Sequence, residues 1–309
     1  MSETNISNQL FHEYFAEWIK LYKLGAVRPV TYQKYMMTWR RLAELTPTLK
    51  VCELNKRSYQ TLINDYARTH EKQTTMDFHN HLKSAILDAI DEGLITSDPT
   101  RKVIIKGKSP ANKKPKFISQ FELQALLKNL ILPDTLNWDW FILLVAKTGL
   151  RFSEALALTP SDFDFVQNKI KIVKTWNYKN ADGGFAETKN FSSKRTLSID
   201  PKLSEQFSKL TTGLTTDKPI FVSGRIFNAT VNFRLNALCK KAGVPIISLH
   251  SLRHTHASLL IFAGVSIASI AKRLGHSSVT TTQETYLHII QELENQDNDK
   301  IVRHLSQLI

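Results

Sequence analysis

The chain has 309 residues, 42% of them hydrophobic, and its 41 Lys and Arg against 28 Asp and Glu leave a formal net charge of +13. This length accommodates two domains with their own cores, and the composition excludes disorder over most of the chain. No apolar run reaches membrane-spanning length, MSETNISNQLFHEYF lacks a signal-peptide pattern, and the two cysteines, Cys52 and Cys239, form neither a disulfide framework nor a metal cluster, so a reduced, cytoplasmic protein is expected.

In chain order, Leu10, Phe11, Tyr14, Phe15, Trp18, Ile19 and Leu21 recur at helical spacing from Ile6 to Leu24, where Gly25 stops the run. Pro29 opens a second helix that Thr46-Pro47 ends. A third runs from about Lys56 to Arg68, and a fourth from about Thr74 to Glu92 with Gly93 as its C-cap. These predict a helical domain over residues 1–105 whose polar faces carry Arg28, Lys34, Arg40 and Arg41. Trp18, Tyr32, Tyr35 and Trp39 read as core, and His79 and His81, two apart in a helix, read as surface residues.

Between Arg101 and Lys116 seven residues are basic and none is acidic. With Gly107, Pro110 and Pro115 in it, the stretch reads as an extended linker, set at residues 106–116. Its Lys106, Lys108, Lys113, Lys114 and Lys116, with Arg28, Arg40 and Arg41, are candidates for holding a nucleic-acid backbone through release of its counterions. A solvated hinge would have the same composition.

A second domain follows over residues 117–309. Ser119-Gln-Phe-Glu122 has the form of a capping box, and WDWFILLVAKTGL is apolar on nearly all sides, as a buried central helix would be. Gly149 breaks that helix just before Arg151. KIKIV and KRTLSI alternate around Gly183-Gly184, which predicts a small antiparallel sheet of three strands. Further helices are expected from Lys202, from Asn228 to Lys241 and through Ser248–His288; DNDKIVRHLSQLI adds a short amphipathic tail. The fold class is therefore mainly α with a small antiparallel β-sheet.

Four groups in the stretch from Ser248 to His288 suit one task. His250 and Arg253 share a helical face and can point at one small anion; His276 in LGHSS and Tyr286, ten residues on, complete the set. They point to a phenolic nucleophile aimed at a phosphodiester. Arg151 in TGLRFSE supplies a second cation where a buried helix ends, with Glu154 one turn later to hold its guanidinium. Alone, each piece is ordinary.

Together they resemble the tyrosine recombinase (phage integrase) family, and the resemblance covers nearly the whole chain. The family's Arg, Lys, His, Arg, His, Tyr order falls on Arg151, Lys189 in ETKNFSSKRTL, His250 and Arg253 in LHSLRHTHAS, His276 in LGHSS, and Tyr286 in TTTQETYLHI. Asn190 follows Lys189 where threonine is common in the family, and Lys174, Lys179 and Lys194 lie nearby. The resemblance implies a helical core-binding (SAM-like) domain, a basic linker and a mixed α/β catalytic domain. It implies that Arg151 and Arg253 clamp the scissile phosphate, Tyr286 attacks it, His250 acts as base, Lys189 protonates the leaving 5′ oxygen and His276 hydrogen-bonds the phosphate. No metal or other cofactor is implied. The expected partner is double-stranded DNA at specific recombination sites, bound by a homotetramer that passes through a Holliday junction. A directionality factor is compatible with this, and a membrane is not expected. With a core-binding helix starting near residue 6, no preceding arm-binding module is expected. RFSEALAL and HTHASLL read like a mobile-element integrase; the alternatives are a Xer-type or plasmid dimer resolvase, a non-catalytic DNA-binding relative, and a type IB topoisomerase.

Overall fold

The structure, a computed structural model, describes residues 8–109, 115–180, 182–188 and 190–286. The chain divides between Lys113 and Lys114 into two units.

In the first unit, α1 (Phe11–Tyr22), α2 (Pro29–Leu45), α3 (Lys56–Ala67) and α4 (Lys72–Asp91) pack around one core. Helix α1 buries Phe11, Tyr14, Phe15, Trp18 and Ile19, a stripe at spacings of three and four. It starts later than its periodicity predicts because Gln9 and Phe11 commit their backbone to strand-like bonds: Phe11 N donates to Leu49 O at 2.7 Å, and Gln9 O accepts from Val51 N at 2.9 Å. Pro29 stands at the start of α2, and Asn55 caps α3 by accepting from the amides of Arg57 and Ser58. Trp18 is core, and Tyr32, Tyr35 and Trp39 pack against the core half-buried.

His79 and His81 are not surface residues. The Tyr59 hydroxyl lies 3.0 Å from Nδ1 of the buried His79, and Thr38 Oγ1 lies 2.8 Å from Nδ1 of His81. Helix α4 packs on α3 and on α2, so residues two apart each meet a neighbouring helix.

The basic stretch is fastened to the first unit as far as Lys108. Gln60 exchanges two 3.0 Å hydrogen bonds with the backbone of Ile104, and Lys108 N donates to His70 O at 2.8 Å. A Cβ on Gly107 would lie 2.2 Å from Lys72 N, so only glycine lets the strand come this close. Arg28, Arg40, Arg41, Lys106, Lys108 and Lys116 are exposed; Lys113 and Lys114 lie outside the described residues.

In the second unit, α5 (Gln120–Leu127) begins at the expected Ser119–Glu122 capping box. Helix α6 (Trp138–Thr148) is buried on nearly every side and ends at Gly149, and the short α7 (Phe152–Leu156) follows. Among the described residues, five strands come next: β1 (Phe163–Asp164), β2 (Lys169–Ile172), β3 (Lys174–Trp176), β4 (Phe185–Glu187) and β5 (Arg195–Ser198). Helices α8 (Pro201–Thr211), α9 (Asn228–Ala242), α10 (Leu249–Phe262) and α11 (Ile267–Leu274) complete the labelled elements, and residues 279–286 are helical. Helix α6 packs on α9 and α10 at the centre of the core.

The sheet is more divided than its sequence pattern. KIKIV and KRTLSI do pair, with buried Ile170 opposite buried Leu197 in an antiparallel β1-β2-β5 sheet. Strands β3 and β4 form a separate hairpin with Gly183 and Gly184 in its turn. Neither strand of that hairpin buries a residue, which is why no alternation betrays it. No described helix is long and apolar enough to cross a membrane. The tail beyond residue 286 lies outside the described residues.

Candidate active site

Gly149 ends α6 at φ +67°, and a Cβ there would come within 2.8 Å of the His256 ring. The turn buries Leu150 and brings Arg151 out as the N-cap of α7. Arg151 Nη1 donates to Glu154 Oε1 at 2.7 Å, and Arg151 N donates to Glu154 Oε2 at 3.0 Å. The same guanidinium donates to the carbonyls of Leu274 at 3.3 Å and Gly275 at 3.0 Å.

Arg253, in the second turn of α10, is only 3% exposed. It donates to Gly149 O and to Leu274 O, both at 2.7 Å. Two arginines from distant segments are thus held on one carbonyl at the end of α11. Gly275 continues from it at φ +68°, where a Cβ would lie 2.9 Å from Arg195 Nη1, and it delivers His276 to the same place. His276 Nδ1 lies 2.7 Å from Oγ1 of the buried Thr282, in the helical turns that carry Tyr286.

Arg195 was not among the expected site residues. Its side chain is 5% exposed and grips Glu154 through Nη1 at 3.2 Å and Nη2 at 2.9 Å, while Nε donates to Arg273 O at 2.6 Å. Glu154 therefore serves two arginines rather than one. A signal was present: Arg195 shares a strand face with Leu197, and that face is inward.

The electrostatics follow from this packing. Burial alone would raise the Glu154 pKa, but hydrogen bonds from Arg195 and the charges of Arg195 and Arg151 hold it below the ordinary carboxylate value. Burial, then the charge of Arg151, brings Arg253 down to about 9. Three guanidiniums face one carboxylate, so the site holds positive charge that an anion would satisfy. A cleft lined by Leu150, Arg151, Ser153, Tyr178, Asn232 and His250 opens beside it.

Three imidazoles border this charge. His250 is exposed as a residue, but desolvation of its ring and then the charges of Arg253 and Arg151 lower its pKa. His276 is pushed down to about 4 by burial and then by Arg253 and Arg151. The third ring, His254, is the one found on the tyrosine: its Nδ1 lies 2.8 Å from Tyr286 Oη. Burial, then His250, Arg253 and Lys116, brings His254 down to about 4. These shifts favour the neutral form of all three rings, in which one nitrogen of each can accept a hydrogen bond. Tyr286 is 1% exposed, packs with Ala257, Ile261, Ile270 and Leu274, and is pushed up to about 12 by burial against the opposing charge of Arg253.

Lys189 lies outside the described residues. Of the neighbouring lysines, Lys174 is committed to Asp162 at 2.7 Å and Thr159 at 3.2 Å, and Lys179 and Lys194 are exposed. Among the described residues, no three His, Cys, Asp or Glu side chains gather as metal ligands would.

Comparison with known proteins adds an independent line. The profile of the phage integrase family matches residues 116–292. The integrase of Staphylococcus phage L54a is 23% identical over 97% of this chain and 94% of its own length. The ICEBs1 integrase of Bacillus subtilis is 32% identical over 71% of this chain and 62% of its own. Among solved structures, the Tn1549 transposon integrase bound to transposon right end DNA superposes with a TM-score of 0.76 at 19% identity, covering 90% of this chain and 95% of the other.

Proposed function

The chain belongs to the phage integrase family, and from that premise we propose that it integrates or excises a mobile element through a 3′-phosphotyrosyl intermediate on Tyr286. As a member it is a tyrosine recombinase, an enzyme that acts on DNA at specific sites. The observation that carries the catalytic reading is the convergence of Arg151 and Arg253 on the Leu274 carbonyl, beside His276 and the turns bearing Tyr286.

In this reading Arg151 and Arg253 clamp the non-bridging oxygens of the scissile phosphate and stabilise the charge of the pentacoordinate transition state. Glu154 fixes the angle of Arg151 and, through Arg195, ties strand β5 to the same point. His276 and His250 hydrogen-bond the phosphate, and Lys189 protonates the departing 5′ oxygen. Tyr286 Oη passes its proton to an imidazole of the site and becomes bonded to phosphorus while the 5′-hydroxyl is released. The new ester conserves the energy of the old one, so rejoining to another strand needs no ATP. Exposed Arg28, Arg40, Arg41, Lys106, Lys108 and Lys116, with Lys113 and Lys114, hold the DNA backbone. Exchange between two duplexes requires four protomers on the DNA, with direction open to control by a separate factor.

The test is covalent trapping. The full chain is mixed with a labelled, nicked half-site duplex from its genomic neighbourhood, without Mg²⁺ or ATP, and resolved on a denaturing gel. A protein–DNA band that is lost in Tyr286→Phe, with site binding retained, is the expected result. A band that persists in Tyr286→Phe, or specific binding by the intact chain with no covalent product, overturns the reading.

A further inference from the structure

We propose that His254, not His250, orients the Tyr286 hydroxyl and takes up its proton as the phosphotyrosyl bond forms; this rests on the reading of Tyr286 as nucleophile. The geometry is direct. His254 Nδ1 is 2.8 Å from Tyr286 Oη, the rings are tilted 62° with centroids 5.7 Å apart, and the tyrosine ring is walled in by α10 and α11. Packing fixes the place of the ring and of Oη, and the hydrogen bond to His254 sets the direction of the hydroxyl. His250 meets His254 edge-on at 4.7 Å and lines the cleft beside Arg151, where the phosphate reading needs it.

The surroundings keep this acceptor empty. Among the described residues, the groups that face His254 are His250 and Arg253 from its own helix, Lys116 from the segment before α5, His276 from the turn after α11, and Tyr286 itself. None is a carboxylate that would favour a protonated ring. With its ring proton on Nε2, His254 presents a lone pair at Nδ1 to the phenol. In the cleavage step the Oη–H bond breaks and its proton moves to Nδ1, the Oη–P bond forms, and the P–O5′ bond breaks. The leaving oxygen takes a different proton, from the acid assigned above to Lys189. In rejoining, the 5′-hydroxyl gives its proton back to Lys189 and its oxygen bonds to phosphorus, the Oη–P bond breaks, and His254 returns its proton to Oη. A phenol pushed up to about 12 is a poor nucleophile at pH 7, so an adjacent acceptor is what this site most requires.

The experiment compares the full chain with His254→Ala, His254→Asn and Tyr286→Phe in single-turnover cleavage of the nicked half-site across pH, with binding followed by gel shift. Alanine removes both functions; asparagine restores a polar atom near Nδ1 that cannot take a proton. The expected loss in His254→Ala is about 10²–10³-fold in cleavage with binding unchanged. His254→Asn is expected to cleave faster than His254→Ala, and to lack the fall in rate that the wild type shows as acid protonates the imidazole. Cleavage by His254→Ala within threefold of wild type at all pH values overturns the proposal. So does a His254→Asn profile that keeps the wild-type acid limb, because the proton acceptor then lies elsewhere. Either result, with Tyr286→Phe inactive, leaves the recombinase reading standing. Covalent product in Tyr286→Phe removes the recombinase reading itself.

Discussion

Glu154 is where the site is held together residue by residue. Its carboxylate is buried between Arg151 and Arg195, and its pKa is lowered from an ordinary 4.5. A group with a lowered folded-state pKa contributes stability above its unfolded value, and that contribution is lost as pH falls through the folded value. Glu154→Gln is therefore expected to destabilise the chain at pH 7 by roughly 3 kcal/mol, because two guanidiniums lose their counter-charge in a dry place. The gap between wild type and variant should close progressively below pH 4.5, as the wild-type carboxyl also becomes neutral. Urea titrations of both proteins at neutral and acid pH test this, and a gap of constant size would show that the carboxylate's charge is not what matters. Half of this arrangement was legible beforehand. The Arg151–Glu154 pair follows from helical spacing, whereas Arg195 lies 41 residues from its partner, a distance no local pattern spans. His254 is hidden for another reason: the H-x-x-R pattern points to His250, although a histidine four residues on shares the same face.

Elements transmit this precision to the residues they carry. Helix α10 is capped by Ser248, whose hydroxyl accepts from Ser251 N at 3.1 Å, so the turns bearing His250 and Arg253 are anchored at their N-terminus. At the far side, α11 ends in Gly275, and the chain must take a left-handed turn there to aim His276 inward. Gly275→Ala is expected to cost about 1–2 kcal/mol for the backbone conformation alone. The new Cβ, 2.9 Å from Arg195 Nη1 and 3.1 Å from Ser192 O, would also shift the turn whose own carbonyls hold Arg151 and Arg253. Cleavage should accordingly fall by at least tenfold while the protein remains folded at 25 °C, as single-turnover rates beside a thermal melt would show. Unchanged cleavage would mean that the turn does not set the arginines. The helices were readable because their apolar stripes, glycine stops and caps are local. The β3–β4 hairpin was not, since its six residues are at most half-buried and carry no inward face. The early start expected for α1 failed because a contact with residues 49–51, invisible in the stripe, claims its first backbone groups.

Across the whole molecule, charge determines what the chain can hold. A net charge of +13 is far more than solubility requires, and the basic stretch from Arg101 concentrates it without a single acidic residue. That stretch is not simply slack between two units. Up to Lys108 its backbone is bonded to Gln60 and His70, so Lys106 and Lys108 are presented from a fixed edge of the first unit. A cation fixed in place contacts phosphate with less loss of freedom than one on a loose loop. If these lysines lie on the DNA backbone, each contact displaces condensed counterions, and the logarithm of affinity falls with the logarithm of salt by roughly 0.9 per contact. Replacing Lys106, Lys108 and Lys116 together with alanine should then weaken binding to specific and unrelated duplexes alike, and should lower that slope by roughly two to three. Measuring affinity for both kinds of duplex over a range of salt distinguishes this from base reading, where only the specific site would suffer. An unaltered slope would make the segment a structural tether, with the positive charge of the helical faces, at Arg28, Arg40 and Arg41, left to carry the electrostatic attraction on its own.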